Sequence, residues 1–214
     1  YFFHSQVVTQ SPPFNIEFQK IYRQTNSSFI RVLNEIRDNK LTAESRKLLE
    51  ERYDPRFIPP EEENYIILTT HNHKADRINA EELGKLEGEA YTFNAGIDGD
   101  YPERNYPTEP VLELKVGAKV MFLRNDTETP RRFYNGKIGV ADTIDDDRIA
   151  VRCGGDELIE VERAEWENIG YTVDAETKQV EENVLGKFSQ YPLRLAWAIT
   201  IHKSQGLTFD KAVI

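Results

Sequence analysis

Methionine, cysteine and long apolar runs are what this 214-residue chain has least of. Cys153 is its single cysteine, which excludes an internal disulfide and leaves no thiol cluster for a zinc site. Met121 is its single methionine, so the chain opens at Tyr1 without an initiator and reads as a piece of a longer protein. No apolar run approaches the roughly 18 residues of a membrane span, and no secretory signal pattern occurs. We therefore expect a cytoplasmic protein with no membrane partner. The GxxxxGKS or GxxxxGKT phosphate loop is missing, as is an acidic strand end placed to hold Mg²⁺, so a nucleotide triphosphate has no cradle in this chain. Of four histidines, His71 and His73 form the only close pair. Without acidic or thiolate companions that pair reads as solvent-facing, and no metal site is assigned.

The formal charge of −10 argues at first against a nucleic-acid partner, because DNA binding rewards basic surface. The distribution of that charge removes the objection. Between Asp142 and Val184 stand 14 acidic and 4 basic residues, which accounts for the whole excess and leaves the remainder neutral. Only the balanced part needs to approach phosphate. The acidic stretch reads either as a solvated face or as a protein-docking surface.

Along the chain, Phe29, Ile30, Leu33 and Ile36 recur at helical spacing. Thr25 or Asn26 can cap that helix, and Asn39 with Lys40 ends it. Arg23 falls in the loop just ahead, where pairing with a nearby carboxylate would be its ordinary use. Asn64 to Thr70 is a short β-branched run, the pattern of a buried strand in a parallel sheet. A helix follows with Ala75, Ile78, Asn79, Glu82 and Leu83 at three-to-four spacing, completing a strand–turn–helix unit of an α/β domain. Ligands sit at the C-terminal end of such a strand, where Thr70 and Asn72 lie, although both residues also suit a helix cap.

From about Pro110 the grammar changes to short runs rich in Val, Ile and Phe, separated by Gly, Asn-Gly and Asp clusters. This is the rhythm of a small antiparallel barrel. Asn135-Gly136 predicts a turn, Ala141 to Gly155 a hairpin around Asp145 to Asp147, and the runs on either side of Asp174 to Thr177 a further hairpin. Beyond them Pro192 suits the first turn of a returning helix, with Leu193, Leu195, Ala196, Trp197 and Ile199 on its core face.

The most chemistry lies in Ala198 to Ile214, where Thr200, His202, Lys203, Ser204 and Gln205 lead into Gly206 and an apolar strand follows Asp210. That order suits a helix ending in a tight turn that presents phosphate-binding groups beside a sheet. Lys203 on a helix dipole with Gly206 as cap is the plainer reading of the same residues.

The string HKSQGL resembles the motif that superfamily-one DNA helicases carry in their second RecA-like domain, most of all in the PIF-like and RecD-like helicases that move 5′ to 3′. KIYRQ followed by FIRVLNEIR is similar to the segment after the first RecA-like domain of that family, and LKVGAKVMFLRN to its entry into an inserted barrel. The resemblance covers essentially the whole chain. It implies an α/β fold: an incomplete second RecA-like helicase domain with an inserted small antiparallel Src-homology-3-like β-barrel. Residues 1–109 would be the first part of that domain, or in part the end of the first one, 110–187 the barrel and 188–214 the truncated return. It further implies that Arg23 is the arginine finger and that Gln205 and Gly206 face the nucleotide cleft. Thr70, Asn72, Thr200, His202, Lys203 and Ser204 would contact single-stranded DNA. The longer helicase would use ATP and Mg²⁺ and supply the first RecA-like domain as partner; this chain alone is expected to bind neither cofactor. On the residues alone, a protein-interaction module or a degenerate helicase fold kept for DNA binding stays open.

Overall fold

The structure, a computed structural model, describes all residues except 1–3, 19, 20, 23, 61, 62, 64, 155, 156, 174–178, 208 and 210. Two compact units, Tyr1–Ile58 and Pro59–Ile214, share the chain. In the first, Gln6–Gln10 (α1) is capped by Ser5. Ser27–Arg37 (α2) starts where the sequence predicts: Asn26 Oδ1 accepts the Phe29 N–H at 2.9 Å, and past the helix end Asn39 takes up φ 53°. Phe29, Leu33 and Ile36 of its predicted apolar face are exposed, and Val32 is the buried member. Glu35 accepts from the Thr42 N–H and hydroxyl, both at 2.8 Å, tying α2 to the cap of Ala43–Glu50 (α3).

The second unit begins with the predicted strand, Tyr65–Thr69 (β1), and the predicted helix, Asn72–Lys85 (α4), which buries Ala75, Asn79 and Leu83. There follow Tyr91–Asn94 (β2), Gly96–Gly99 (β3), Val111–Leu114 (β4), Lys119–Phe122 (β5), Ile138–Ile144 (β6), Ile149–Cys153 (β7), Glu157–Val161 (β8), Ala164–Val173 (β9) and Val180–Gln190 (β10). The chain closes with Leu193–Leu195 (β11), Ala198–Thr200 (β12), Ile201–Ser204 (α5) and Lys211–Val213 (β13). β1 lies between β12 and β13, parallel to both, so its backbone groups are paired on each side as a buried apolar strand requires. β11-β5-β6-β7-β8 form an antiparallel sheet, β3-β10-β9 a second and β2-β4 a pair. Among the described residues no helix is long and apolar enough to cross a membrane.

The large core belongs to the antiparallel part. Phe122, Leu114, Ile149, Val151, Ile159 and Leu193 are fully buried, and the rings of Phe122 and Phe133 stack at 4.2 Å. Burial of each such side chain contributes roughly 1.5–3 kcal/mol. The Asn135-Gly136 turn forms with Gly136 at φ 96° and the Lys137 N–H donating to Tyr134 at 3.0 Å. The hairpin around Asp145–Asp147 is the β6–β7 pair, and β9 with β10 is the further one, its connection lying outside the described residues.

Two expectations are corrected. Among the described residues no closed barrel forms: β8 and β11 are the outer members of their sheet, and the chain leaves β8 for β9, which pairs with β10 instead of returning to β11. The segment after Pro192 is not a helix but β11 and β12. Apolar residues at 193, 195, 196, 197 and 199 suit either spacing, and backbone partners decided the matter. Leu193 and Leu195 lie opposite Phe122 and Val120 of β5, while Ala198 and Thr200 lie opposite Ile67 and Thr69 of β1.

The loop between β5 and β6 is anchored by Asp126, whose side chain is only 3% exposed. It accepts from Arg132 Nε at 2.7 Å and Nη2 at 3.2 Å, and from the N–H groups of Glu128 and Arg132. The Arg132 hydrogen bond foremost holds its carboxyl far below the usual aspartate range. An unfolded aspartate takes up its proton near pH 3.8 while the folded one resists, so this contribution is complete above about pH 5 and fades progressively as pH falls below it. Asp126→Asn should flatten that part of the acid-unfolding profile and lower stability at neutral pH by about 1–3 kcal/mol, measured by urea titration at several pH values.

Candidate nucleic-acid interface

β1 and β12 are parallel and in register, Leu68 opposite Ile199 and Thr69 opposite Thr200. Two segments 130 residues apart therefore leave the sheet at the same, C-terminal edge, the usual location of ligands in a parallel sheet. The first is Thr70–Asn72, entering α4; the second is Thr200–Gly206, containing α5. Buried Thr69 stitches the two, donating its hydroxyl to the His71 carbonyl at 3.1 Å and lying 3.5 Å from that of Ile199.

Among the described residues β12 is an edge strand, so one side of it lacks a strand partner. Asn79 of α4 supplies what is missing. Its Nδ2 donates to the Ala198 carbonyl and its Oδ1 accepts from the Ala198 N–H, both at 2.9 Å. A carboxamide carries the same donor and acceptor as a peptide group and here stands in for a neighbouring strand.

The expected site residues distribute unevenly around this edge. Thr70 is exposed with its hydroxyl 2.7 Å from His71 Nδ1. Asn72 is the exposed first residue of α4, and His71 occupies the cap position without a side-chain capping bond, so neither Thr70 nor Asn72 caps the helix. Thr200 is buried and caps α5, accepting the Lys203 N–H at 3.4 Å. The Ser204 hydroxyl donates back to Ile201 at 2.7 Å, while His202 and Lys203 are exposed. Gln205 and Gly206 form the exposed turn after α5, with Gly206 at φ 84°, a conformation that favours glycine. Arg23 lies outside the described residues. His71 and His73 are both exposed, their rings 5.3 Å apart.

Asn72, Thr200 and Lys203 are brought together, lining one open cavity of about 300 Å³ with Arg194 of β11 and Glu109. Although Lys203 is exposed, partial desolvation by the cavity wall, and then repulsion from Arg194, push its ammonium below the usual lysine range, with Glu109 and Asp76 opposing. Burial likewise lowers Arg194. Sequence reasoning missed Arg194 and Glu109. The signal was present, since Arg194 is the one charge within the apolar stretch from Tyr191 to Thr200. Among the described residues no three metal-ligating side chains converge.

No family model matches the chain. The Pif1 ATP-dependent DNA helicase of Psychrobacter sp. (strain PRwf-1) is 34% identical over 232 residues, which cover 86% of this chain and 34% of that protein. The crystal structure of Bacteroides sp Pif1 in complex with ADP-AlF4 superposes with a TM-score of 0.88 at 38% identity, over 99% of this chain and 48% of the other. The Bacteroides Pif1 helicase in complex with ADP-AlF3 and ssDNA gives 0.65 at 39% identity, over the same shares. The mixed α/β architecture is thus that of a DNA helicase. Within that class the chain belongs to the Pif1 family, and it spans from a third to about half of the length of these relatives.

Asn79→Ala would leave both the N–H and the carbonyl of buried Ala198 without a partner. The expected cost is about 2–4 kcal/mol in urea-induced unfolding. A loss below about 0.5 kcal/mol would mean that β12 is held by β1 alone.

Proposed function

We propose that this chain is the C-terminal part of an ATP-dependent helicase that moves 5′ to 3′ on single-stranded DNA, contributing an arginine finger and part of the DNA grip. The observation that carries this reading is the parallel register of β1 and β12, which gathers Asn72, Thr200 and Lys203 around one open cavity at the C-terminal edge of the sheet. The relatives add support, being Pif1 helicases, one of them solved with ssDNA. In this reading residues 1–109 are the first part of the second RecA-like domain, or at their start the end of the first one, 188–214 are its truncated return, and 110–187 are the inserted Src-homology-3-like module.

Lys203 and His202 hold backbone phosphates without regard to sequence, with Thr70, Asn72, Thr200 and Ser204 at the same sheet edge as neutral partners. Gln205 and Gly206 extend the same turn toward the nucleotide cleft. ATP and Mg²⁺ belong to the whole helicase, where the first RecA-like domain cradles the triphosphate and this chain closes the cleft from the other side. Arg23 places a fixed cation against the charge that develops on the transferring γ-phosphoryl group. Cleft closure and reopening then move the two domains' DNA footholds in turn.

In the whole helicase, Arg23→Ala should lower ATP turnover by roughly 10³-fold or more while leaving nucleotide binding largely intact, because a finger acts on the transition state. Turnover at the wild-type level would remove Arg23 from the mechanism. For the grip, Lys203→Ala should weaken binding of two unrelated single strands alike and reduce the salt slope by about one unit. An unchanged slope, or a loss confined to one sequence, would reduce Lys203 to a helix-terminal charge.

A further inference from the structure

The cavity beside α5 holds a second cation that the motif does not account for. Arg194 of β11, its side chain 15% exposed, lines the same cavity as Lys203. Among the described residues its one ion-pair partner is Glu109, whose Oε1 stands 3.9 Å from Nη2, at the limit of such a contact. Among the described residues neither Arg194 nor Lys203 donates a side-chain hydrogen bond. A guanidinium carries five donors, and a largely buried one is ordinarily satisfied. Two cations that line one open cavity with donors to spare, the charge of Arg194 acting on Lys203, are drawn together by an anion that both can reach.

We propose that Arg194 and Lys203 together receive one backbone phosphate of a single DNA strand, and that Glu109 occupies this place as a displaceable stand-in when no strand is bound. The proposal rests on the DNA-binding reading given above. It adds a contact residue outside the motif and a carboxylate that competes with the strand. Guanidinium geometry suits a phosphate, offering two parallel N–H groups to two oxygens, whereas the lone ammonium of Lys203 acts as a point charge. Glu109 is suited to leave, since its side chain is 59% exposed and its pairing is long. Asp76 and Glu113 also line the cavity, so the site is not a general anion trap and requires an incoming group that both cations can reach.

The two members of the pair should respond with opposite sign. Arg194→Ala in the whole helicase should weaken single-strand binding about tenfold for unrelated sequences, and lower the salt slope by roughly 0.7–1 unit, as for one lost phosphate contact. Glu109→Gln should tighten binding by about two- to fivefold, the size expected for removing an exposed competitor. If the Arg194–Glu109 contact served only to hold the fold, both variants would lose affinity together, which would overturn the proposal. Arg194→Lys keeps the charge and should recover part of the salt slope; failure to recover any would also count against it. Lys203→Ala separates the two levels of inference. A loss with Lys203→Ala but none with Arg194→Ala ends this proposal and spares the DNA-grip reading, while no loss in either ends both. A rise in the KM for ATP with Arg194→Ala, at unaltered strand affinity, would seat a nucleotide phosphate in the cavity and overturn the strand assignment.

Discussion

The candidate interface depends on one paired amide contact, that of Asn79 with the backbone of Ala198. β12 is three residues long and has a strand on one side only. Too short to be held by a ladder alone, it is fixed by a side chain that completes its hydrogen bonding from α4. From that anchor follow the position of Thr200, the start of α5 and the placement of Lys203 at the cavity. Because α4 itself emerges from β1, the same contact locks the two C-terminal strand ends to each other. A buried polar pair of this kind is costly to leave half made, and it therefore permits one register rather than several.

Charge, too, is organised by local pairing. The acidic excess falls on β6 to β10, where much of it is laced to cations: Asp142 with Arg152, Glu160 with Arg148, Glu157 with Lys137, Glu165 with Lys187. Such exposed pairs contribute little to stability, yet they keep an acidic segment from presenting an unbroken field. At the cavity the balance differs, for Arg194 and Lys203 line it together, and among the described residues Glu109 alone comes within ion-pair distance of Arg194. A chain with a net charge of −10 can thus still set two cations, Arg194 and Lys203, at one cavity among the carboxylates of Asp76, Glu109 and Glu113, and the balance there is local, because electrostatic recognition is decided within about a Debye length, roughly 8–10 Å at ordinary salt.

Much of the fold was legible wherever local chemistry and tertiary demand coincide. The β-branched run at Tyr65–Thr69, the three-to-four spacing of Ala75, Asn79 and Leu83, the Asn26 cap and the Asn135-Gly136 turn each specify their own conformation, and each is present. The return from Tyr191 to Thr200 was not legible in this way. It is apolar on nearly every face, so periodicity could not distinguish helix from strand, and the free edges of β5 and β1 chose. Barrel closure was equally hidden, since it depends on which strand follows β8 in the sheet, and short antiparallel strands carry the same alternating pattern whether their sheet closes or stays open.

By itself the sequence determined the kind of chemistry available: hydroxyls, an imidazole and an ammonium packed into the stretch from Thr200 to Gly206, a lone arginine in an apolar stretch, and the absence of a phosphate loop. It also set the local turns and caps that such residues dictate within three or four positions of themselves. Only the tertiary structure decided that Asn72 and Lys203, far apart in the chain, line the same cavity, that Arg194 joins them, and that Asn79 turns its amide to a strand edge. The physical reason is range. Capping and turn formation act between neighbours in sequence, whereas a parallel register is set by backbone groups seeking partners across more than a hundred intervening residues.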